Sequence, residues 1–494
     1  MLIQLRDYQK KSEDDLRQAF RIAQSVLYQL PTGGGKTFVF SYIAASAVAK
    51  GRKVLILVHR RELLSQASHS LAKIGLRHTL IAQNQHVREI MASHISEYND
   101  SFIDLSAPIA IASVDTIVRR LHLFSGFDLI ICDEAHHLTR FNKWGRVVAY
   151  FQNAKLLGVT ATPIRADGKG LGDKYDGFFE ALVCGPTMRE LIQQKYLLPP
   201  VVFSPPSDLD LTGIKIHAGD YAAGELSLRL SKSTITGDAI KTYQKICPGV
   251  PAIAFCVSIE EAKRTAAEAR AAGIRAFSID GTMHDNERRG LIQSLAKGQI
   301  DWLTSCDLIS EGTDIPVVGC GILLRPTKSE GLYLQQVGRI LRPSEGQTKA
   351  YILDHVGNVG SWVNDKFITN HGLPDADREW SLEGIKRRGK NNNVKNSKHD
   401  TTQCAKCLMV YPISPACPYC GNEPISGRGV SKVDGELRQI DAQETERLRK
   451  QHRLMRISEA KTLEDLLKVA KEIGHKPGWA HHLYRARMKT RARA

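Results

Sequence analysis

A glycine-rich segment at residues 30–37 ends in lysine and threonine, with the order Leu-Pro-Thr-Gly-Gly-Gly-Lys-Thr. Glycines allow backbone N–H groups to converge on phosphate oxygens, while a lysine supplies positive charge and a threonine hydroxyl can reach Mg²⁺. Leu30 stands where the general pattern has its first glycine. A flexible glycine-rich turn is the alternative, but the Lys-Thr ending favours a phosphate-binding loop. The candidate loop residues are Thr32, Gly33, Gly34, Gly35, Lys36 and Thr37.

About a hundred residues later, the apolar segment 127–132 ends in two carboxylates, Asp133 and Glu134. The carboxyl edge of a parallel sheet is where ligands bind in such folds. Asp133 is suited to holding Mg²⁺, and Glu134 to orienting and deprotonating the water that attacks the γ-phosphate of ATP. An acidic turn that caps a helix is the alternative. The position after a phosphate loop favours ATP hydrolysis.

Residues 335–342 place a glutamine and two arginines at helical spacing. Gln335, Arg339 and Arg342 would share one helix face. Arginines presented in this way can reach across a cleft to a γ-phosphate and stabilise charge in the transition state. A solvated helix that carries arginine is the alternative reading of this segment alone.

Four cysteines are paired as Cys404-x-x-Cys407 and Cys417-x-x-Cys420, with nine residues between the pairs. This spacing can place four thiolates tetrahedrally around Zn²⁺. Two disulfides are the alternative, which a cytosolic chain would disfavour. The four thiols are therefore predicted to bind zinc.

Short apolar runs alternate with helix-forming stretches along most of the chain, as in a parallel sheet covered by helices. The predicted strands lie at 53–58, 108–112, 127–132, 156–160, 251–257, 274–279, 301–305, 319–324 and 349–353, and the clearest helices at 38–50, 61–74, 259–272 and 285–297. Two α/β lobes follow from this alternation. The predicted domains are a first lobe at 1–205, a connector at 206–234, a second lobe at 235–365, a basic polar linker at 366–402, a zinc module at 403–423 and a basic helical region at 424–494.

The basic charge is concentrated towards the C-terminus. The formal net charge is +16, of which +5 falls in residues 1–365 and +11 in residues 366–494. Such a bias suggests a polyanionic partner, although a solvated basic surface is the alternative. We see neither a secretory leader nor an apolar run long enough to cross a membrane, and we expect a cytoplasmic protein.

Together, and in this order, these motifs resemble the superfamily 2 DEAH-box helicases and translocases across residues 1–354. Residues 165–172 and the cysteine module resemble specifically the RadD-like subgroup of bacterial and phage helicases. The resemblance implies an α/β fold of two tandem RecA-like parallel-sheet lobes, followed by a small four-cysteine zinc module and a basic helical tail. It also implies ATP and Mg²⁺ as cofactors.

The resemblance assigns further residues by their place in the motifs. Arg6 and Gln9 would contact the adenine base, and Gly312 and Asp314 would face the nucleotide from the second lobe. Coupling between the nucleotide and the strand would fall to His136, Thr160 and Thr162. The residues expected to hold the nucleic-acid backbone are Arg60, Ser113, Thr116, Ser258, Gly281 and Thr304.

The implied function is ATP-dependent translocation along, or unwinding of, DNA in replication, recombination or repair. The expected partner is single-stranded, forked or branched DNA, and a replication or repair protein could contact the C-terminal region. Two alternatives stay open: a motor subunit of a restriction system, and a nucleic-acid-binding protein switched by ATP without unwinding. RNA is also open as a substrate, because these motifs hold phosphates and sugars rather than bases.

Overall fold

The computed structural model describes residues 5–165, 168–204, 211, 213–217, 219–230, 235–306, 318–344, 346–363, 366–384, 401–423, 460, 462–473 and 477–491. Among these, no helix is both long and apolar enough to span a bilayer. Contacts divide the chain into a large unit, Met1–Pro424, and a smaller one, Ile425–Ala494.

The first lobe is a seven-stranded parallel sheet flanked by helices. Its strands are β1 (Ser25–Gln29), β2 (Val54–Val58), β3 (Thr79–Ile81), β4 (Ile109–Ser113), β5 (Leu129–Asp133), β6 (Lys155–Thr160) and β7 (Ala181–Cys184). Its helices are α1 (Asp7–Ile22), α2 (Lys36–Val48), α3 (Arg61–Lys73), α4 (Asn84–Tyr98), α5 (Val114–Ile117), α6 (Lys143–Tyr150) and α7 (Met188–Gln193). Both faces of the sheet are buried, since Ile56 belongs to one apolar cluster and its neighbours Leu55 and Leu57 to another.

The strand order β3-β4-β2-β5-β6-β1-β7 fixes which strand ends meet. β6 lies between β5 and β1, with Asp133 opposite Val159 and Gln29 opposite Thr160. The segments that follow β1, β5 and β6 therefore emerge side by side at one edge of the sheet. These are the segments in which the sequence places the phosphate loop, the carboxylates and the coupling threonines.

The second lobe is built on an eight-stranded sheet of order β12-β13-β11-β14-β15-β8-β19-β18. Its strands, with those of two short hairpins, are β8 (Pro200–Phe203), β9 (Ile216–His217), β10 (Asp220–Tyr221), β11 (Ala252–Cys256), β12 (Ala276–Ile279), β13 (Trp302–Cys306), β14 (Cys320–Leu323), β15 (Ala350–Asp354), β16 (Gly360–Val363), β17 (Lys366–Thr369), β18 (Thr401–Gln403) and β19 (Met409–Pro412). Its helices are α8 (Ala223–Leu230), α9 (Ile235–Ile246), α10 (Ile259–Ala271), α11 (Asp285–Ala296) and α12 (Glu330–Ile340).

Two strands of this second sheet come from outside the range 235–365 predicted for the second lobe. β8 precedes the predicted boundary at residue 205, yet it pairs in parallel with β15. β19, from the cysteine segment, pairs antiparallel with β8. The cysteine segment is thus an extension of the second sheet rather than a separate module on a linker.

The predicted linker at 366–402 is wrong over its first half. β17 pairs with β16, and residues 370–384 are packed, with Leu373 only 8% exposed and Arg378 bonded through its guanidinium. The polar composition predicted a linker because the segment has no regular spacing of apolar residues. In the structure, backbone carbonyls and one buried arginine hold the segment in place instead. Residues 385–400 lie outside the described part of the chain.

The smaller unit contains the helices α13 (Leu463–Ile473) and α14 (Pro477–Arg491). Leu466, Val469 and Ala470 of α13 pack with Ala480 of α14 in a small apolar cluster. This agrees with the helical C-terminal region expected from the leucine spacing.

Candidate nucleotide-binding cleft and cysteine cluster

The glycine-rich segment forms the turn between β1 and α2. Gly33 and Gly35 have φ of +86° and +81°, a left-handed conformation that side chains with a Cβ rarely adopt. Gly35 is also the N-cap of α2, so Lys36 begins the helix. A turn of this kind directs backbone N–H groups and the positive end of a helix dipole at a single point, which is the chemistry that binds a phosphate.

Helix α1 contacts this turn through two side chains. The Tyr8 hydroxyl donates to the Gly34 carbonyl at 2.8 Å, and Gln9 Nε2 donates to the same oxygen at 3.4 Å. Gln9 Oε1 accepts the Arg6 N–H at 3.0 Å. The Arg6 guanidinium lies 4.3 Å from the centre of the Tyr196 ring. The sequence alone does not indicate Tyr196, since nothing marks an aromatic residue so far along the chain as a neighbour of this loop.

The two carboxylates lie at the end of β5, and both are largely buried. Asp133 is 5% exposed, and its Oδ1 accepts the Glu134 N–H at 3.0 Å. Glu134 is 8% exposed and has φ of +49°, an uncommon conformation for a residue other than glycine. Strained backbone of this kind recurs where a side chain must be held in one direction for function.

A chain of contacts connects Glu134 to the end of β6. Glu134 Oε2 lies 3.3 Å from His136 Nδ1, which lies 3.1 Å from the Thr160 hydroxyl. That hydroxyl also donates to the Thr162 carbonyl at 3.1 Å and accepts the Thr162 N–H at 3.2 Å. The structure therefore brings together the predicted catalytic carboxylate and the three residues predicted to couple it to movement.

Helix α12 of the second lobe lies directly against the phosphate loop. A Cβ on Gly338 would be 2.5 Å from Thr32 Cβ, and one on Gly33 would be 3.7 Å from Arg342 Cγ. At the start of the same helix, a Cβ on Gly331 would be 3.0 Å from the Thr162 hydroxyl. Gln335 is 4% exposed and Arg339 is half-buried. The arginine-bearing helix thus packs on the loop. Gly331 and Gly338, the two helix glycines that allow this approach, were not singled out from the sequence.

Most residues expected to contact nucleic acid lie at strand ends. Arg60 and Ser113 are the N-caps of α3 and α5, and Thr116 lies within α5. Ser258 caps α10 and accepts the Glu261 N–H, while Gly281 follows β12 and is exposed. These positions follow the carboxyl ends of parallel strands in both lobes.

Thr304 is the exception, and its expected contact with nucleic acid is not supported by its position. Its side chain is fully buried in β13, where the hydroxyl donates to the Ala262 carbonyl at 2.7 Å. A hydroxyl inside the sheet cannot reach a strand that crosses the surface. Gly312 and Asp314 fall at residues 307–317, outside the part of the chain that the structure describes.

A polar cavity of about 550 Å³ lies between the lobes beside Gly281. Its basic and hydroxyl-bearing lining residues are Arg61, Ser93, Ser96, His284 and Arg289. Near it, Arg288 of α11 forms an ion pair with Glu62 of α3 at 3.3 Å, so the lobes are also in contact here. Gly281 lines this cavity and was predicted to hold nucleic acid, whereas the other residues named here carry no sequence prediction.

Two family models match the chain in succession. The model for the type III restriction enzyme res subunit matches residues 2–165, and the helicase conserved C-terminal domain matches residues 238–344. A 51.5 kDa protein of Lactococcus phage (isolate 7-9) is 34% identical over 401 residues, which cover 80% of this chain and 78% of that protein. The chain belongs to the superfamily 2 helicases. It is therefore a helicase-family, nucleic-acid-dependent ATPase.

Other relatives of this helicase show how far the likeness extends. A Saccharomyces cerevisiae protein named "Putative ATP-dependent helicase IRC3" is 30% identical over 374 residues, which cover 72% of this chain and 51% of the yeast protein. The chain thus spans about half the length of that relative. A DNA-bound ATP-dependent Type ISP restriction-modification enzyme, LlaBIII, has the same fold over 72% of this chain and 28% of its own, with a TM-score of 0.50 and 18% identity.

The four clustered cysteines of the helicase converge as the sequence predicts. Their sulfur atoms all lie within 4.8 Å of one another, with 3.6 Å between Cys404 and Cys420 and between Cys407 and Cys417. Thiolates around a tetrahedral zinc at ~2.3 Å lie roughly 3.8 Å apart, whereas disulfide sulfurs are bonded at ~2.05 Å. The geometry therefore fits one four-coordinate metal ion and does not fit two disulfides.

Proposed function

We propose that this helicase hydrolyses ATP in the cleft between its lobes to translocate along or unwind DNA, in replication, recombination or repair, as a DEAH-box member of the RadD-like subgroup. The observation that carries the proposal is the packing of Gly338 on Thr32, with Arg342 beside Gly33. This contact joins the arginine-bearing helix of one lobe to the phosphate loop of the other. Hydrolysis that needs both sides of a cleft can be coupled to movement of the lobes.

The phosphate loop fits a nucleotide with Mg²⁺. Lys36 and the N–H groups of residues 32–37 would hold the phosphates, and Thr37 and Asp133 would hold the metal ion. Bound Mg²⁺ neutralises the negative charge of the phosphates. Arg6 and Gln9, together with Tyr196, would flank the adenine base, because they lie on the α1 side of the loop.

Glu134 is assigned the role of general base. Its backbone conformation and its contact with His136 fix the carboxylate, so it can accept a proton from water in one defined direction. Arg339 and Arg342 would stabilise charge that develops on the γ-phosphate, with Gln335 on the same face orienting the water. The contacts of His136 with Thr160, and of Thr160 with Thr162, would transmit the state of the cleft to α12.

We assign nucleic-acid binding to the surface at the carboxyl ends of the strands in both lobes. Arg60, Ser113 and Thr116 would hold the backbone on the first lobe, and Ser258 and Gly281 on the second. Arg289 adds positive charge in the cavity between them, where Arg61 lies 4.0 Å from the carboxylate of Glu89. Contacts of this kind hold phosphates and carry no sequence information, which suits an enzyme that moves along single-stranded, forked or branched DNA.

The cysteine cluster is assigned to Zn²⁺ held by four thiolates, and its role is structural. All four positions of a tetrahedral ion would be occupied by sulfur, so none is open for catalysis. Because β19 lies in this segment and pairs with β8, the metal ion would hold the edge of the second sheet in place.

A motor subunit of a restriction system is the second candidate. It is favoured by the match of residues 2–165 to the type III restriction enzyme res subunit and by the fold shared with a Type ISP enzyme. A restriction motor acts on duplex DNA alongside a nuclease. Strand displacement from a fork by the isolated chain would favour the first proposal over this one.

The test is the rate of ATP hydrolysis with single-stranded DNA, duplex DNA, forked DNA and RNA, measured beside strand displacement. Stimulation by single-stranded or forked DNA together with displacement supports the proposal. Stimulation by duplex alone, without displacement, favours the restriction motor. Stimulation by RNA alone contradicts a role on DNA.

Residues 424–494 are proposed to make an auxiliary contact with DNA or with a replication or repair protein. They carry 17 lysines and arginines against nine aspartates and glutamates. Truncation after Glu423 should leave turnover within about twofold of the full chain. The log-log salt slope of DNA binding should become shallower by ~0.7 to 0.9 for each phosphate contact removed. An unchanged affinity and salt slope would reject the DNA contact and leave the protein partner.

A further inference from the structure

Residues 370–384, here called the strap, follow β17 and run from the second lobe to the first. The strap begins against the second lobe, where the N–H groups of Asn370 and Gly372 donate to the Val359 carbonyl at 2.9 and 3.1 Å. His371 Nε2 lies 2.9 Å from the Thr327 carbonyl, three residues before α12 begins. The strap is therefore placed at the N-terminal end of the arginine-bearing helix.

Helix α12 is held by the strap through two of its own side chains. The buried Tyr333 donates its hydroxyl to the Gly372 carbonyl at 2.9 Å and stacks on the His371 ring, with 5.2 Å between ring centres. Glu330, the first residue of the helix, accepts the Arg378 Nε–H at 2.6 Å. No sequence motif joins these residues, which are brought together only by the fold.

Arg378 is the residue around which the strap turns. Its side chain is 8% exposed, and its remaining N–H groups donate to four carbonyls of the strap itself. Those carbonyls belong to His371, Leu373, Pro374 and Ala376, at 2.9 to 3.2 Å. A buried guanidinium with this many acceptors is fixed in place, so the carboxylate of Glu330 is fixed as well.

The far end of the strap is attached to the first lobe. The Leu382 carbonyl accepts the Gly172 N–H at 3.0 Å. The Leu382 side chain packs on an apolar cluster of the first lobe. A Cβ on Gly170 would lie 2.2 Å from the Leu382 carbonyl oxygen, so only glycine admits the strap there. Asp377 also forms an ion pair with Arg189 of α7 at 2.7 Å. The close approach of the strap thus explains the glycines at positions 170 and 172, which the sequence alone did not explain.

The distance between the two attachments is short. Leu382 lies four positions after Arg378, and an extended chain covers at most ~3.3 to 3.6 Å per position, so this part of the strap can reach about 14 Å. The strap also borders a cavity with Thr162 of the coupling segment and Leu334 of α12, lined on its own side by Pro374 and Trp380. A limited reach restricts how far this side of the cleft can open.

We propose that Arg378 is a positioning residue for ATP hydrolysis. The strap fixes the position of α12 on the phosphate loop, because it connects the start of the helix to both lobes. The inference rests on the proposed function, in which Arg339 and Arg342 act on the γ-phosphate. Arg378 is not among the residues assigned to bind ATP. It acts through Glu330 and through the carbonyls that shape the strap.

The test compares Arg378→Ala, Arg378→Lys and the control Arg52→Ala in DNA-stimulated hydrolysis by the full chain. Arg378→Ala should lower kcat by about 10- to 100-fold, as a displacement of ~1 Å does, and leave KM for ATP within about twofold because the phosphate loop is intact. Arg378→Lys retains the charge beside Glu330 and should recover part of kcat. Arg52→Ala breaks an exposed pair with Asp128 that does not touch the strap, with side chains 64% and 41% exposed, and should have almost no effect.

The result that overturns the inference is a kcat for Arg378→Ala equal to that of Arg52→Ala. If Arg378→Ala fails to fold, Glu330→Gln carries the same test, since it leaves the carbonyl bonds of Arg378 in place and should lower kcat in the same direction. Arg339→Ala, measured in parallel, separates the two proposals. Wild-type turnover in Arg339→Ala would reject the role of α12 itself, whereas loss there with none in the strap variants would reject only the positioning role.

Discussion

The two lobes contribute to the same cleft in different ways. In the first lobe, each group that we assign to the nucleotide follows its own strand within a few residues, as the phosphate loop follows β1 and Glu134 follows β5. In the second lobe, the contributing helix α12 is held by the strap, which lies some 30 to 50 residues further along the chain. Local chemistry thus builds one wall of the cleft and long-range packing builds the other. Variants in the two walls should fail in different ways.

The largest effect is expected from Glu134→Gln in the first wall. Only the group that accepts a proton from water is removed, so turnover should fall by ~10² to 10⁴-fold while binding of ATP and DNA is retained. Steady-state hydrolysis and nucleotide binding measure the two properties separately. Glu268→Gln, at an exposed position in the second lobe, is the control. Turnover within a few-fold of wild type would remove Glu134 from the mechanism.

Gly338→Ala tests the contact between the walls. The added methyl group would lie 2.5 Å from Thr32 Cβ, so α12 must move away from the phosphate loop and kcat/KM for ATP should fall by up to ~10²-fold. Gly290→Ala in α11 is a matched control, because nothing lies within 4 Å of its new Cβ. Equal kinetics for the two variants would show that the lobes do not meet here during hydrolysis.

Cys417→Ser tests how far the second lobe depends on its last strands. Loss of one thiolate should release zinc and free β19 from β8, lowering the thermal midpoint by several degrees while the first lobe stays folded. Zinc content and differential scanning calorimetry report the two effects. Cys184→Ser is the control, since this exposed cysteine lies outside the cluster. An unchanged midpoint after zinc loss would mean that the sheet edge is stable without the metal ion.

The smallest effect is a dependence of first-lobe stability on pH. Burial lowers the pKa of His78 and of His94 to about 4, and the Ser68 hydroxyl bonds to both rings. The unfolded chain binds protons at these sites below pH ~6.5 and the folded chain does not, so the stability of the first lobe should fall as the pH drops from ~6.5 towards 4.

Denaturant titrations at several pH values test this expectation. His78→Asn should reduce the pH slope, whereas the exposed His122→Ala should leave it unchanged. A slope that is insensitive to His78 would place the acid-sensitive groups elsewhere in the chain.

The sequence predicted where the phosphate loop and the two carboxylates of the first wall lie in the fold, because their signals are local. A left-handed glycine, a lysine at a helix start and a carboxylate after an apolar strand each depend on neighbours within a few positions. Local signals also explain three predictions that the structure confirmed: the two-lobe fold, the strand positions and the convergence of the four cysteines. Family resemblance then placed the later motifs in order.

The sequence did not predict contacts between distant segments. Polar residues at 366–384 read as a linker, and by that reading a truncation after Asp365 would be harmless. The structure shows that such a truncation removes β17, the strap and two strands of the second sheet. The prediction for Thr304 was wrong because this residue lies on a strand. The alternation of residues along that strand does not by itself show which face is buried. Gly170 and Gly338 carry no local signal, since their partners are Leu382 and Thr32.

The place of β8 in the second sheet has a consequence for synthesis of the chain. All seven strands of the first sheet have left the ribosome once Cys184 emerges, whereas β8 must await β15 on one side and β19 on the other. More than two hundred residues separate Phe203 from Pro412, and pairings over such distances form slowly because loop closure comes first. A nascent chain should therefore hold a folded first lobe next to an exposed strand edge, which is the interval in which a chaperone would be needed most.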